Sequence, residues 1–146
     1  VIYMLTLNKD LIIFCENMNN KERIITKIAS LLYKKNYIHH KKDFIKKVME
    51  REKAGSTYIG NNVAIPHGES KSVKTNCLVI LKSRLPIHWD GYAVHVIALF
   101  AIHPNINQIE KVNYKRYIQA IGDENFVNKL KNTNDKEKIV MLFEND

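Results

Sequence analysis

Residues 51–71, REKAGSTYIGNNVAIPHGESK, decide how this chain is read. Val63, Ala64 and Ile65 form an apolar run that reads as a short buried strand. Pro66 lacks a backbone donor and is expected to end ladder pairing there. Gly68 is expected to let the backbone turn in a way that a residue with a Cβ resists. A side chain just past a strand end, in a turn with little bulk around it, is held firmly and can still be reached by a partner. His67 is therefore the candidate for chemistry. By themselves the same residues are equally consistent with a polar turn of no chemical role.

Upstream, the spacing of Phe44, Ile45, Val48 and Met49 predicts a helix over about 41–54, which Gly55 stops. Arg51 lies three residues after Val48, so its stem follows the core edge while its guanidinium passes the helix end. An earlier helix follows from Ile24, Ile28, Leu31 and Leu32, with Ile25 and Ala29 alongside. Asn19 and Glu22 form a capping-box-like start, and Asn36 ends the helix. Lys21, Arg23, Lys27 and Lys34 fall on its wet side. Tyr3 to Phe14 keeps no single period; an edge strand or a short helical turn is expected, with Ile12, Ile13 and Phe14 buried.

Downstream, residues 77–81 read as a buried strand, residues 86–89 as an extended segment or turn, and Asp90-Gly91 as a turn. Val94 to Ile102 is apolar at nearly every position, which predicts a central strand covered on both faces. Ile106, Ile109, Val112, Tyr117, Ile118 and Ile121 line the next predicted helix, before Gly122. Asp123 caps another that carries Phe126, Val127 and Leu130, and Asp135 opens a last one with Ile139, Val140, Leu142 and Phe143. Helices around a central group of strands give an α/β fold, a single layered domain whose sheet is covered by helices.

Composition bounds the reading. The 146 residues suffice for one domain with a proper core, and 45% hydrophobic with 26% charged residues fits a globular protein rather than a disordered one. No apolar run approaches the roughly 18 residues of a membrane span, and the N-terminus lacks a signal-peptide pattern, so a cytoplasmic location without membrane insertion is expected. The net charge of +8 is spread along the chain among Lys and Asn, which reads as a solvated surface rather than a nucleic-acid footprint. Cys15 and Cys77 are too few and unpatterned for a disulfide framework or a zinc site. The first residue is Val, which fits a piece of a longer polypeptide.

Arg51-Glu52, Gly55-Ser56-Thr57, Ile59-Gly60 and Val63-Ala64-Ile65-Pro66-His67-Gly68 together resemble the active-site segment of the enzyme IIA components of the bacterial phosphoenolpyruvate-dependent sugar phosphotransferase system, mannitol/fructose type. The resemblance extends more loosely from about Asn8 to the C-terminal end, through Pro86-Ile87-His88-Trp89 and Ile121-Gly122-Asp123-Glu124. It implies a mixed sheet and a phosphoryl group accepted on His67 from the histidine of the carrier protein HPr. It also implies delivery to an enzyme IIB domain, with Arg51 as a phosphate clamp. A relay between histidines uses a phosphoryl group already activated by its P–N bond, so no cofactor is expected. Many transport members carry a second active-site histidine early in the helix after the last strand. Counting back from Ala120 to Glu124 places Glu110 there, exchanging a potential cation for an anion and weighing against onward transfer.

The chemistry also follows from the residues. Imidazole offers a nucleophilic nitrogen near neutral pH, and a hydrogen bond from its other nitrogen to a turn carbonyl would fix the tautomer. Phosphoryl transfer needs in-line placement and donors to the equatorial oxygens. Backbone N–H groups around Gly60, Asn61 and Gly68 are candidates for an anion nest, and Ser56 or Thr57 for a hydroxyl. His39-His40 reads as exposed, His88 has no companion ligand, His95 as a satisfied core or edge histidine, and His103 ends the central strand. Two functions fit: a phosphoryl carrier, standing alone or within a sugar transporter, and a regulatory module of a transcriptional antiterminator or activator whose phosphorylation reports sugar status. In the second, the partners are the regulator's own domains.

Overall fold

The computed structural model describes residues 4–16 and 20–145. A 3₁₀ turn, Lys9–Leu11, leads into β1 (Ile12–Cys15); then come α1 (Lys21–Lys34), α2 (Lys41–Ala54), β2 (Tyr58–Gly60), β3 (Val63–Ala64) and β4 (His67–Glu69). A long hairpin of β5 (Cys77–Trp89) and β6 (Tyr92–Ile102) follows, and α3 (Gln108–Ile121), α4 (Glu124–Lys131) and α5 (Lys136–Glu144) complete the chain. The strands form one six-stranded sheet of order β1-β5-β6-β3-β2, with β4 also paired to β6. The sheet is mixed: β1 runs parallel to β5, β3 and β4 run parallel to β6, and the hairpin is antiparallel.

β6 is central because it is apolar on both sides. From Val96 onward alternate residues feed two cores, Ile97, Leu99 and Ala101 packing with α1 and α2, and Val96, Ala98, Phe100 and Ile102 packing with α3, α4 and α5; Val94, which pairs with Ile87 beyond the bulge, joins the first core. Each such fully buried aliphatic or aromatic side chain contributes about 1.5–3 kcal/mol. The hairpin turns at Asp90 and Gly91, both at positive φ (52° and 89°), the geometry of a two-residue turn whose twist matches its strands. Residues 86–89 are not a separate segment: they continue β5 past a bulge between Lys82 and Ile87.

Several expectations shift by a face or a position. Asn19 lies outside the described residues; the α1 cap is Asn20, whose side chain accepts from the Arg23 N–H. Ile12 is buried, but Ile13 is only partly so and Phe14 is exposed, at 43%, because an edge strand outruns its helical cover. The Lys82 and Lys136 ammonium groups instead lie 5.8 and 5.6 Å from the Phe14 ring. Lys82 also donates to the carbonyls of Lys131 and Thr133, satisfying the C-terminal end of α4. In α3 the buried face is Glu110, Asn113, Tyr117, Ala120 and Ile121, whereas Ile109 and Val112 are exposed. Two polar anchors set that rotation: Asn113 accepts from the Leu5 N–H at 3.1 Å, and Glu110 closes a capping box with Asn107.

Candidate functional site

The site is built on β4 and the end of α2. Pro66 interrupts pairing but does not end it: its carbonyl accepts from Phe100 N–H at 3.1 Å, and His67, Gly68 and Glu69 then pair with Phe100, Ala101 and Ile102. His67 thus sits within a strand, not in a turn beyond one. Register partners share a sheet face, so His67 and Glu69 stand on the α3 side and Gly68 faces α2. Gly68 is buried without a positive φ, and a Cβ there would lie 2.8 Å from both Phe44 Cε1 and Val48 Cγ2. Close helix–strand packing, rather than a turn, requires glycine here.

His67 is half-buried, and its Nδ1 lies 3.3 Å from the Ile65 carbonyl oxygen. A carbonyl can only accept, so Nδ1 carries the proton and Nε2 keeps its lone pair for attack. α2 runs antiparallel along β4. Asp43 in its first turn accepts from the Ser70 hydroxyl at 2.6 Å, Phe44 and Val48 meet Gly68, and Arg51 stands one turn further along the same helix. The Arg51 guanidinium donates to the Gly55 carbonyl at 2.7 Å, which fixes it past the helix end with further donors unspent. Its charge reaches the Tyr114 phenol, whose pKa is raised by burial and by Glu69 and lowered by Arg51.

The other expected site residues are drawn elsewhere. Gly60 and Asn61, at φ 93° and 52°, form the β2–β3 turn. That turn precedes Val63, which pairs with Val96 four residues before the His67–Phe100 pair, so about 13 Å of strand separates it from His67. The Gly60–Asn61–Gly68 nest is therefore not assembled. Thr57 is buried and donates to Glu52 Oε2, and Ser56 hydrogen-bonds Asp90 and accepts from the Tyr58 N–H. Glu110 is 7% exposed and holds the Asn107 N–H at 3.2 Å, in a polar cleft of about 410 Å³ shared with His103, Asn76 and Lys74. Its carboxylate serves the helix start.

An ion network joining α1, α2 and the β5–β6 turn was not legible in sequence. Lys21, expected to be solvated, bridges Glu52 at 2.8 Å and Asp90 at 2.7 Å and lies 5.0 Å from the Trp89 ring centroid. Burial presses the Lys21 pKa down, but its hydrogen bonds to Asp90 and Glu52 outweigh this and raise it; the Lys21 bond holds Asp90 below the usual carboxylate range. Glu69 stands two residues after His67 on β4, a placement that the expected turn hid, and Tyr114 lies one turn beyond Glu110 on α3. Among the other histidines, His39, His40 and His88 are exposed. The His95 Nδ1 lies 2.9 Å from the Ser83 carbonyl, and the His103 Nδ1 accepts from Asn105 N–H at 2.9 Å. Among the described residues no three His, Cys, Asp or Glu converge as metal ligands.

Residues 5–146 match the family described as phosphoenolpyruvate-dependent sugar phosphotransferase system, EIIA 2. The chain belongs to this family. Within it, the transcriptional regulator ManR of Bacillus subtilis is 26% identical over 133 residues, covering 91% of this chain and 20% of the regulator. The mannitol-specific phosphotransferase enzyme IIA component of Halalkalibacterium halodurans is 36% identical over 81 residues, covering 53% of this chain and 54% of the relative. The chain thus spans about half, or far less, of the length of these relatives. The fold matches that of the complex of enzyme IIAMtl and phosphorylated enzyme IIBMtl from Escherichia coli, with a TM-score of 0.77, 20% identity and coverage of 97% and 99%. This EIIA-type chain has no helix, among its described residues, long and apolar enough to cross a membrane.

Proposed function

We propose that this EIIA-type chain is a cytoplasmic phosphohistidine carrier, accepting a phosphoryl group from phospho-HPr on His67 Nε2 and passing it to an enzyme IIB domain. The observation that carries the reading is the contact between His67 Nδ1 and the Ile65 carbonyl, on the strand against which the Arg51-bearing helix α2 packs. It leaves one nitrogen free, in the tautomer that attacks phosphorus, and the Gly55 carbonyl holds the Arg51 guanidinium past the end of α2. In the transfer, the Nε2 lone pair forms a P–N bond as the P–N bond to the donor histidine breaks, and the donor imidazole departs with that electron pair. Arg51 donors meet the equatorial oxygens, where negative charge must be held in place. Membership in the EIIA 2 family supports the reaction class, and the IIB-bound structure supports the acceptor.

A second reading is favoured by the ManR match, which spans nearly the whole chain: a regulatory module whose His67 phosphorylation controls a transcription regulator. Incubation with phosphoenolpyruvate, enzyme I and HPr, followed by mass spectrometry of the acid-labile adduct, tests both. Phosphate is expected on His67 and absent from His67→Ala. A phosphate on another residue, or none with an active donor, overturns both. Discharge by an enzyme IIB domain separates carrier from regulator.

A further inference from the structure

We infer that Tyr114 is a phosphoryl-contacting residue, its hydroxyl donating a hydrogen bond to the phosphoryl group on His67; this rests on the reading of His67 as the phosphorylated residue. His67 and Phe100 are register partners on adjacent parallel strands, so their side chains stand side by side, about 4.8 Å apart, on one face of the sheet. The Tyr114 ring lies over that face, 4.6 Å from the Phe100 ring centroid and tilted by 33°. The residue it stacks on is therefore one strand's width from the imidazole.

The direction of the ring follows from its neighbours. Tyr114 is half-buried on α3, above β6, whereas Arg51 ends a helix that packs under the opposite face of the sheet. The Tyr114 phenol is within electrostatic reach of the Arg51 guanidinium and of the Glu69 carboxylate, which stands on β4 two residues after His67. Burial and the Glu69 charge raise the phenol pKa against the effect of Arg51, so at neutral pH the group is a donor rather than a phenolate. Among the described residues the hydroxyl has no hydrogen-bond partner to surrender. An O–H donated to an anionic oxygen is short and charge-assisted. Tyr114 and Arg51 would then hold the phosphoryl group from two sides, α3 and α2, with no demand on Glu110.

The test is Tyr114→Phe, which keeps the ring on Phe100 and removes one oxygen. Wild type and variant are phosphorylated by phospho-HPr, and the rate, the lifetime of the adduct and the ³¹P resonance of the phosphohistidine are compared, with Tm as the control for folding. Loss of a hydrogen bond to a charged group is expected to slow transfer about ten- to a hundredfold, to move the ³¹P resonance, and to leave Tm within about 1 °C. A ring that only fills space would leave rate and resonance unchanged, and that result overturns the assignment while His67 remains labelled. An unlabelled His67 in the wild type overturns the carrier reading and this one together.

Discussion

Gly68→Ala isolates the contact that places α2, which carries Arg51, on β4, which carries His67. The added Cβ would stand 2.8 Å from Phe44 Cε1, 2.8 Å from Val48 Cγ2 and 3.2 Å from Phe44 Cζ. Carbon atoms in contact sit about 3.5–4.0 Å apart, so α2 or its side chains must retreat by roughly 0.7–1.2 Å. Phe44 and Val48 are fully buried at 0% exposure and have no open space to swing into. Overpacking of this kind costs about 1–3 kcal/mol. Gly68 has no positive φ, so alanine also restricts the unfolded chain and returns about 0.4–1 kcal/mol. The net loss of about 1–2 kcal/mol lowers Tm by about 3–7 °C at this chain length. Because α2 carries Arg51, phosphorylation of His67 should slow by more than the lost stability explains. Thermal and urea unfolding of Gly68→Ala, Phe44→Leu and the double variant give the coupling energy. A favourable coupling of about 1 kcal/mol is expected, since the smaller side chain makes room for the methyl. Wild-type stability in Gly68→Ala, or strictly additive variants, would refute the packing argument.

Arg51→Lys keeps a charge but loses the planar fork that holds Gly55 and, on the proposed function, would hold a phosphoryl oxygen at once, and it should slow phosphorylation by about 10²–10³-fold with little change in Tm, read by quenched-flow labelling. Lys21→Met leaves the Glu52 carboxylate unpaired and should cost about 3 kcal/mol in urea unfolding; Lys21→Met with Glu52→Gln should recover part of it, because Gln still accepts from Thr57. The depressed Asp90 pKa contributes stability that is present above its unfolded value and lost as pH falls through its folded value. The acid limb of a Tm-against-pH curve should therefore be shallower below about pH 4 in Asp90→Asn than in wild type. Glu110→Gln, which preserves the capping box, should phosphorylate at the wild-type rate, whereas a changed rate would bring Glu110 to the phosphoryl site.

Local sequence determined what depends on near neighbours alone. The bounds of α2, the caps at Asp123 and Asp135, the Asp90-Gly91 turn and the doubly covered β6 were all legible, because spacing, capping side chains and positive-φ turns act within a few residues. A hydrogen bond between the imidazole of His67 and a nearby backbone carbonyl was legible too, and it is made to Ile65, two residues before it. Tertiary structure alone decided what depends on partners far along the chain. Pairing with β6 carried the strand through Pro66, and the rims of Phe44 and Val48 gave Gly68 its role. The Leu5 N–H, 108 residues away, helped turn α3 so that Glu110 faces its own cap and Tyr114 faces Phe100. Glu52 and Asp90 drew Lys21 out of solvent. A helical period shows that a face will be buried, but which of two similar faces it is depends on the polar anchors it meets, and those are set only when distant segments pack.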